Sequence, residues 1–143
     1  MKVEQLVVSL TDLPDKLSII ANLMAENCIN ICALSLVDAS GPDNLRMIVN
    51  DTGKAFQIIR DNGFSVKTTE VLVIEVPDKP GGLATVLRTI KEKGLTLKYL
   101  YAFSQKSGES GLLIFRMDHE EQAVEALTKK GIRVLSSEEL YAL

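Results

Sequence analysis

Two glycines, Gly81 and Gly82, follow Asp78-Lys79-Pro80 and precede Leu83 at the head of a helix-spaced apolar segment. Glycine there removes side chains where a ligand must approach the backbone, and it tolerates positive φ. The first amides of a helix point outward unpaired and favour an anion such as a carboxylate. Asp78 can pair with an ammonium group or cap the helix. Elsewhere, Asn30 ahead of Ile31 offers a donor and an acceptor on one side chain, which suits an α-amino or carboxylate group. Together these residues have the chemistry to recognise a small zwitterion. The plainer reading is a capped tight turn.

Other reactive side chains carry less. His119 is the single histidine and has no serine or cysteine partner in view, so a solvated first-turn residue is expected. Cys28 and Cys32 are read as small buried hydrophobes, because a metal site needs three or four ligands. No metal and no cofactor is expected. Gly81-Gly82 fits neither G-x-G-x-x-G nor G-x-x-x-x-G-K-[ST]. Arg116 could reach a ligand, but a surface ion pair is the simpler assumption. Tyr99, Tyr101 and Phe103 alternate along one strand and would share a face with Leu97. Aromatic rows on such sheets can stack on RNA bases, yet the corresponding Ala33, Ser35 and Val37 are not aromatic and the chain is acidic.

The elements that must position these residues occur twice. Asp12-Leu13-Pro14-Asp15-Lys16-Leu17 returns 66 residues later, with Asp12 matching Asp78 and Leu17 matching Leu83. The same offset carries Leu34 onto Leu100 and Ile48 onto Ile114. It becomes 68 by Gly63 and Gly131, which places a two-residue difference near Asp51. Each copy reads strand, helix, strand, strand, helix, strand. In the first copy Asp12 sits at a helix N-cap and Leu17, Ile20, Ala21 and Met24 follow at helical spacing. Asp51 or Thr52 caps its second helix, which Asn62-Gly63 ends. In the second copy Asp118 and Glu121 have capping-box spacing.

Two such crossovers in so short a unit give a ferredoxin-like α+β fold, a four-stranded antiparallel sheet with both helices on one face. The domains are expected at residues 1–69 and 70–143, with no linker between them. The second strand of each copy, residues 29–37 and 95–103, is a long apolar edge, and an open edge of that kind aggregates. Pairing the two edges gives one eight-stranded antiparallel sheet; pairing between separate chains would serve equally.

The pattern D-x-P-G-x-L ahead of a helix, carried by Asp78, Pro80, Gly81 and Leu83, followed by a strand opening with Asn30-Ile31, resembles the ACT domain. The resemblance covers nearly the whole chain as two tandem copies. It implies a ferredoxin-like module that binds amino acids or other small metabolites and regulates enzymes. Its ligands sit between the first loop of one unit and the second strand of its neighbour. One complete site would then combine Asp78, Lys79, Pro80, Gly81, Gly82 and Leu83 with Asn30 and Ile31. The reciprocal set, Asp12, Leu13, Pro14 and Asp15 with Thr96 and Leu97, departs from the pattern and is a possible second site.

Bulk properties narrow the partners. A net charge of −3 and a pI near 5.2 argue against nucleic acid or an anionic membrane as partner. No apolar run spans a bilayer, no signal peptide is evident, and two cysteines make no disulfide framework, so a cytoplasmic location is expected. The expected protein is a non-enzymatic sensor of a small molecule, an amino acid, acting on a separate enzyme or through homo-oligomerisation such as a dimer. The rivals are an interaction module without ligand and an acylphosphatase-like hydrolase. The hydrolase needs a placed arginine that neither first loop contains.

Overall fold

The computed structural model describes residues 2–11, 15–37, 42–77, 79–104 and 110–142, without the side chains of residues 103 and 104. Asp12, Leu13, Pro14 and Asp78 lie outside them, as do residues 105–109 of the turn expected over 105–110; Ser110 instead opens a strand. The order is β1 (Val3–Ser9), α1 (Asp15–Glu26), β2 (Ile31–Leu36), β3 (Leu45–Val49), α2 (Thr52–Asp61), β4 (Ser65–Pro77), α3 (Gly82–Glu92), β5 (Leu97–Ser104), β6 (Ser110–Met117), α4 (Glu120–Lys129), β7 (Arg133–Leu135) and α5 (Ser137–Tyr141).

Backbone contacts cluster into two units, Glu4–Thr69 and Met1–Val3 with Glu70–Leu143. The first has strand order β2-β3-β1-β4; the second has β5-β6-β4-β7. Paired strands whose register is described run antiparallel. Among the described residues the strands number seven, not the eight expected. The reason is β4. Lys67-Thr68-Thr69-Glu70 does not interrupt it, because β-branched threonines hold an extended backbone. One 13-residue strand therefore closes the first unit and opens the second.

In each unit the helices cover one sheet face. Leu6, Val8, Leu45, Met47 and Val49 alternate along their strands and meet Ile20, Met24, Ala55 and Ile59 from α1 and α2. In the second unit Leu72, Ile74, Leu113, Phe115 and Met117 meet Val86, Ile90, Ala123 and Leu127.

The register corrects one alignment. Leu6 faces Met47, and Leu72 faces Phe115; Leu36 faces Leu45, and Ala102 faces Leu113. The two extra residues therefore lie in the β5–β6 hairpin, not near the position of Asp51, so Ile48 corresponds to Arg116 rather than Ile114. Hairpin loops absorb length without disturbing a core. The same shift puts His119, not Asp118, at the N-cap of α4, where it has φ 58° and makes no capping bond. The capping box expected from Asp118 is absent; Asp118 pairs instead with Lys98 at 3.3 Å. Asp51 does cap α2, accepting from the Lys54 amide at 3.2 Å. The short α5, unforeseen from periodicity, carries a capping box of its own between Ser136 and Glu139.

Bulges recur at matching places, between Ile31 and Ala33 and between Leu97 and Tyr99. The second one turns Leu97 toward the core beside Leu100, away from the face expected for it with Tyr99 and Tyr101.

Candidate functional site

The chain leaves β4 at Val76-Pro77 and turns tightly into α3. The Lys79 amide donates to the Pro77 carbonyl at 2.9 Å, and the Gly82 amide donates to the Lys79 carbonyl at 3.2 Å. Gly81 is the N-cap, with φ 95° and ψ −13°, a left-handed conformation that a Cβ disfavours. Gly82 is required for a different reason: a Cβ there would lie 2.5 Å from the Pro77 carbonyl oxygen. The two glycines thus satisfy separate constraints, one of torsion and one of space.

Thr85 locks the turn, its amide and its hydroxyl both donating to the Gly81 carbonyl at 3.1 and 3.0 Å. Among the described residues, the amides of Gly81, Leu83 and Ala84 have no backbone acceptor. These donors and the positive end of the helix dipole favour an anion. Beside them lies a depression of ≈ 310 Å³ whose lining includes Val76, Pro77, Gly81, Gly82, Thr85 and Ile132. Lys79 and Glu75 border it. Glu75 is neutralised by Arg133 at 2.9 Å, and Arg133 also bonds Glu139. That second bond is the main reason Arg133 holds its proton above the ordinary range.

The loop residues Lys79, Pro80, Gly81, Gly82 and Leu83 are thus gathered at one helix start. Asn30 and Ile31 lie in the other unit, at the head of β2. The Asn30 amide donates to Asn50 Oδ1 at 3.0 Å and its carbonyl accepts from the Asn50 amide at 3.1 Å. Its side chain is exposed, with Nδ2 4.0 Å from Cys32 Sγ. Ile31 packs against the core of its unit. In the second set, Asp15 is exposed in the first turn of α1. Thr96 is exposed with its carbonyl bonded to the Asp118 amide at 3.1 Å, and Leu97 packs inward.

The cysteines are not the buried hydrophobes expected. Cys28 is exposed and Cys32 half-buried; both are free thiols. Cys28 has φ 57° because it terminates α1 where Gly94 terminates α3. Burial raises the Cys32 pKa, opposed by its contact with Asn30. His119 is exposed, as expected of a solvated residue.

Arg116 forms an ion pair, but not a surface one. It reaches Glu120 Oε1 at 3.1 Å, and the Glu120 side chain is 8% exposed. The second carboxylate oxygen is buried and has no hydrogen-bond partner among the described residues. Burial raises the Glu120 pKa; Arg116 opposes this, Glu70 adds to it, and Lys2 opposes it. Sequence reading missed this pair because Arg116 ends β6 and Glu120 opens α4, and whether they meet depends on how the chain turns between the two elements. Among the described residues, no cluster of three His, Cys, Asp or Glu could hold a metal. No described helix is long and apolar enough to cross a membrane.

The chain is similar to a protein from Bacteroides thetaiotaomicron, BT0572, at 30% identity and TM-score 0.92, covering 100% of this chain and 98% of that one. It shares its fold with aspartokinase alpha and beta subunits at 18% identity and TM-score 0.63, covering 90% of each chain. The regulatory subunit of aspartate kinase from Thermus flavus matches at 13% identity and TM-score 0.61, covering 90% of this chain and 91% of that one. No curated protein matches the chain. The profile of the ACT domain pair matches residues 1–143. With two βαββαβ units, a glycine turn into α3 and a match that runs its full length, this chain belongs to the ACT domain-pair family.

Proposed function

We propose that this protein is a regulatory sensor that binds a small amino acid and acts on a separate enzyme or through its own oligomerisation. The observation that carries this reading is the turn into α3. Gly81 holds a left-handed torsion and Gly82 a place where a Cβ would strike the Pro77 carbonyl, beside amides that have no backbone acceptor among the described residues and a depression of a size that suits one small ligand. The ligand's carboxylate meets the first amides of α3. Its ammonium meets Asp78 or the exposed side chain of Asn30, supplied with Ile31 by the second strand of a neighbouring unit. The chain serves as two domains, 1–69 and 70–143. Asp12 to Asp15 with Thr96 and Leu97 form the lesser site, since Asp15 and Lys16 replace the two glycines.

The aspartate kinase regulatory subunit, which shares the fold, supports a regulatory role over a catalytic one. The two free thiols suit a reducing cytoplasm.

A thermal-shift screen against the amino acids tests this. Saturation at about 100 times Kd adds roughly 2.7 kcal/mol. At about 2–4 °C per kcal/mol for a chain of this size, that raises Tm by about 5–10 °C. Asn30→Ala and Gly81→Val should each weaken the response while the fold persists. Parent-like binding by both variants would remove the composite site. No shift with any amino acid favours the ligand-free interaction module, for which the exposed Leu34, Leu36 and Val37 speak.

A further inference from the structure

The start of the chain and the start of α4 meet at one charged corner of the second unit. Glu120 is buried there, with Oε1 on Arg116 and Oε2 buried without a partner among the described residues. From outside α4, charge reaches it from Arg116 of β6, Glu70 of β4 and Lys2 just ahead of β1. On α4 itself Glu121 follows it and His119 precedes it, both exposed; Asp118 is paired with Lys98. Lys2 Nζ lies 3.5 Å from Glu70 Oε2 and 3.6 Å from Glu121 Oε1. Lys2 and the fully buried Val3 cluster with this unit, whereas Glu4–Thr69 form the first. The first unit carries Ile48, Thr52 and Gly53 where the second carries Arg116, Glu120 and Glu121. The backbone therefore forms without these charges, and a buried pair adds little stability of its own.

Ionised Glu120 is incompletely compensated, since Arg116 reaches only one of its oxygens. Lys2 is the second cation that favours the ionised form, while burial and Glu70 oppose it. Burial is the largest cause, so Glu120 titrates above the ordinary glutamate range. Lys2 in turn holds its proton above its ordinary range through Glu70 first, with Glu121 and Glu120 adding to the effect. Such an attraction is reciprocal: docked Lys2 favours the ionised carboxylate, and the ionised carboxylate favours docking of Lys2 to the same extent. We infer that this corner is a proton-operated latch on the start of the chain, closed over the residues ahead of Glu4 when Glu120 is ionised and loosened when Glu120 takes up a proton. The proton comes from solvent and binds the unpartnered Oε2, while Oε1 keeps Arg116. One of the three carboxylate charges that hold Lys2 is then gone. Lys2 is 36% exposed, and Glu70 and Glu121 are more so. Solvent therefore screens the coupling, and a change of about two- to fivefold in docking is expected.

The test is trimming of the full chain by an aminopeptidase across pH. The parent is compared with Glu120→Gln at each pH, so that the protease's own profile cancels, and circular dichroism confirms that both stay folded. When opening is fast, the rate of trimming past Lys2 follows the undocked population. Below the Glu120 titration the two should be trimmed alike. Above it the parent should be trimmed about two- to fivefold more slowly. In a Lys2→Gln background, Glu120→Gln should make no difference at any pH, as a double-mutant cycle requires of a direct coupling. A role for Glu120 in stability alone has the opposite sign, because the parent loses stability on the same rise and would be trimmed faster. Faster or equal trimming of the parent above the titration, or an unchanged ratio in the Lys2→Gln background, overturns the inference.

Discussion

Where the second unit places a half-buried Arg116 against a buried Glu120, the first places Ile48 and Thr52 on the same backbone. Ile48 is fully buried and needs no partner. Glu120 is buried with one oxygen bonded to Arg116 and the other unsatisfied. The fold therefore accepts an apolar or an ionic solution at this corner, and they fail differently. An apolar residue loses packing when trimmed. A buried ion pair is near neutral as a pair, yet leaving one member alone is costly.

The largest expected effect tests that contrast. Arg116→Ala leaves Glu120 buried alone and should cost about 3 kcal/mol by urea unfolding at neutral pH. Restoring the first unit's residues with Arg116→Ile and Glu120→Thr together should be neutral or stabilising. If the double change costs more than the single one, the pair is a net stabiliser and the contrast fails. The helix starts come next. Gly82→Lys installs the residue that stands at the corresponding position in the first unit, and it should cost about 2 kcal/mol because the turn must move away from the Pro77 carbonyl. An unchanged midpoint would show that the turn yields freely.

The helix ends should give about 1 kcal/mol in opposite directions. Cys28→Gly relieves a left-handed residue and should stabilise by about 1 kcal/mol, while Gly94→Ala should destabilise by a similar amount. The caps of α2 and α4 differ in the same manner. Asp51→Ala should cost about 1 kcal/mol, whereas His119→Ala removes no capping bond and should leave stability within about 0.5 kcal/mol.

The pH dependence is subtler and has a definite sign. Glu120 holds its proton to higher pH in the folded chain than in the unfolded one. Its stabilising contribution is therefore fully present below the ordinary glutamate range and is lost as pH rises through the folded pKa. Relative to Glu120→Gln, the parent should lose stability on that rise, and the penalty of Arg116→Ala should shrink toward acid. A parent-minus-variant difference that is flat with pH would mean that Glu120 is already solvated when folded.

Local sequence chemistry determined the elements and the order in which they repeat. Helical and alternating spacing reported which faces are apolar, and Asp51, Gly63, Gly94 and Gly131 marked helix boundaries through rules acting over a few residues. The glycine turn was legible for the same reason, although the sequence could not separate its two constraints. Tertiary structure alone decided what depends on register. Whether Lys67 to Glu70 breaks a strand, where two hairpin residues are absorbed, and whether Arg116 or Ile114 is the counterpart of Ile48 are set by strand pairing, and a shift of one residue there moves every side chain to the other face. The ion pair of Arg116 with buried Glu120 and the count of seven strands among the described residues follow from that pairing, which no local signal encodes.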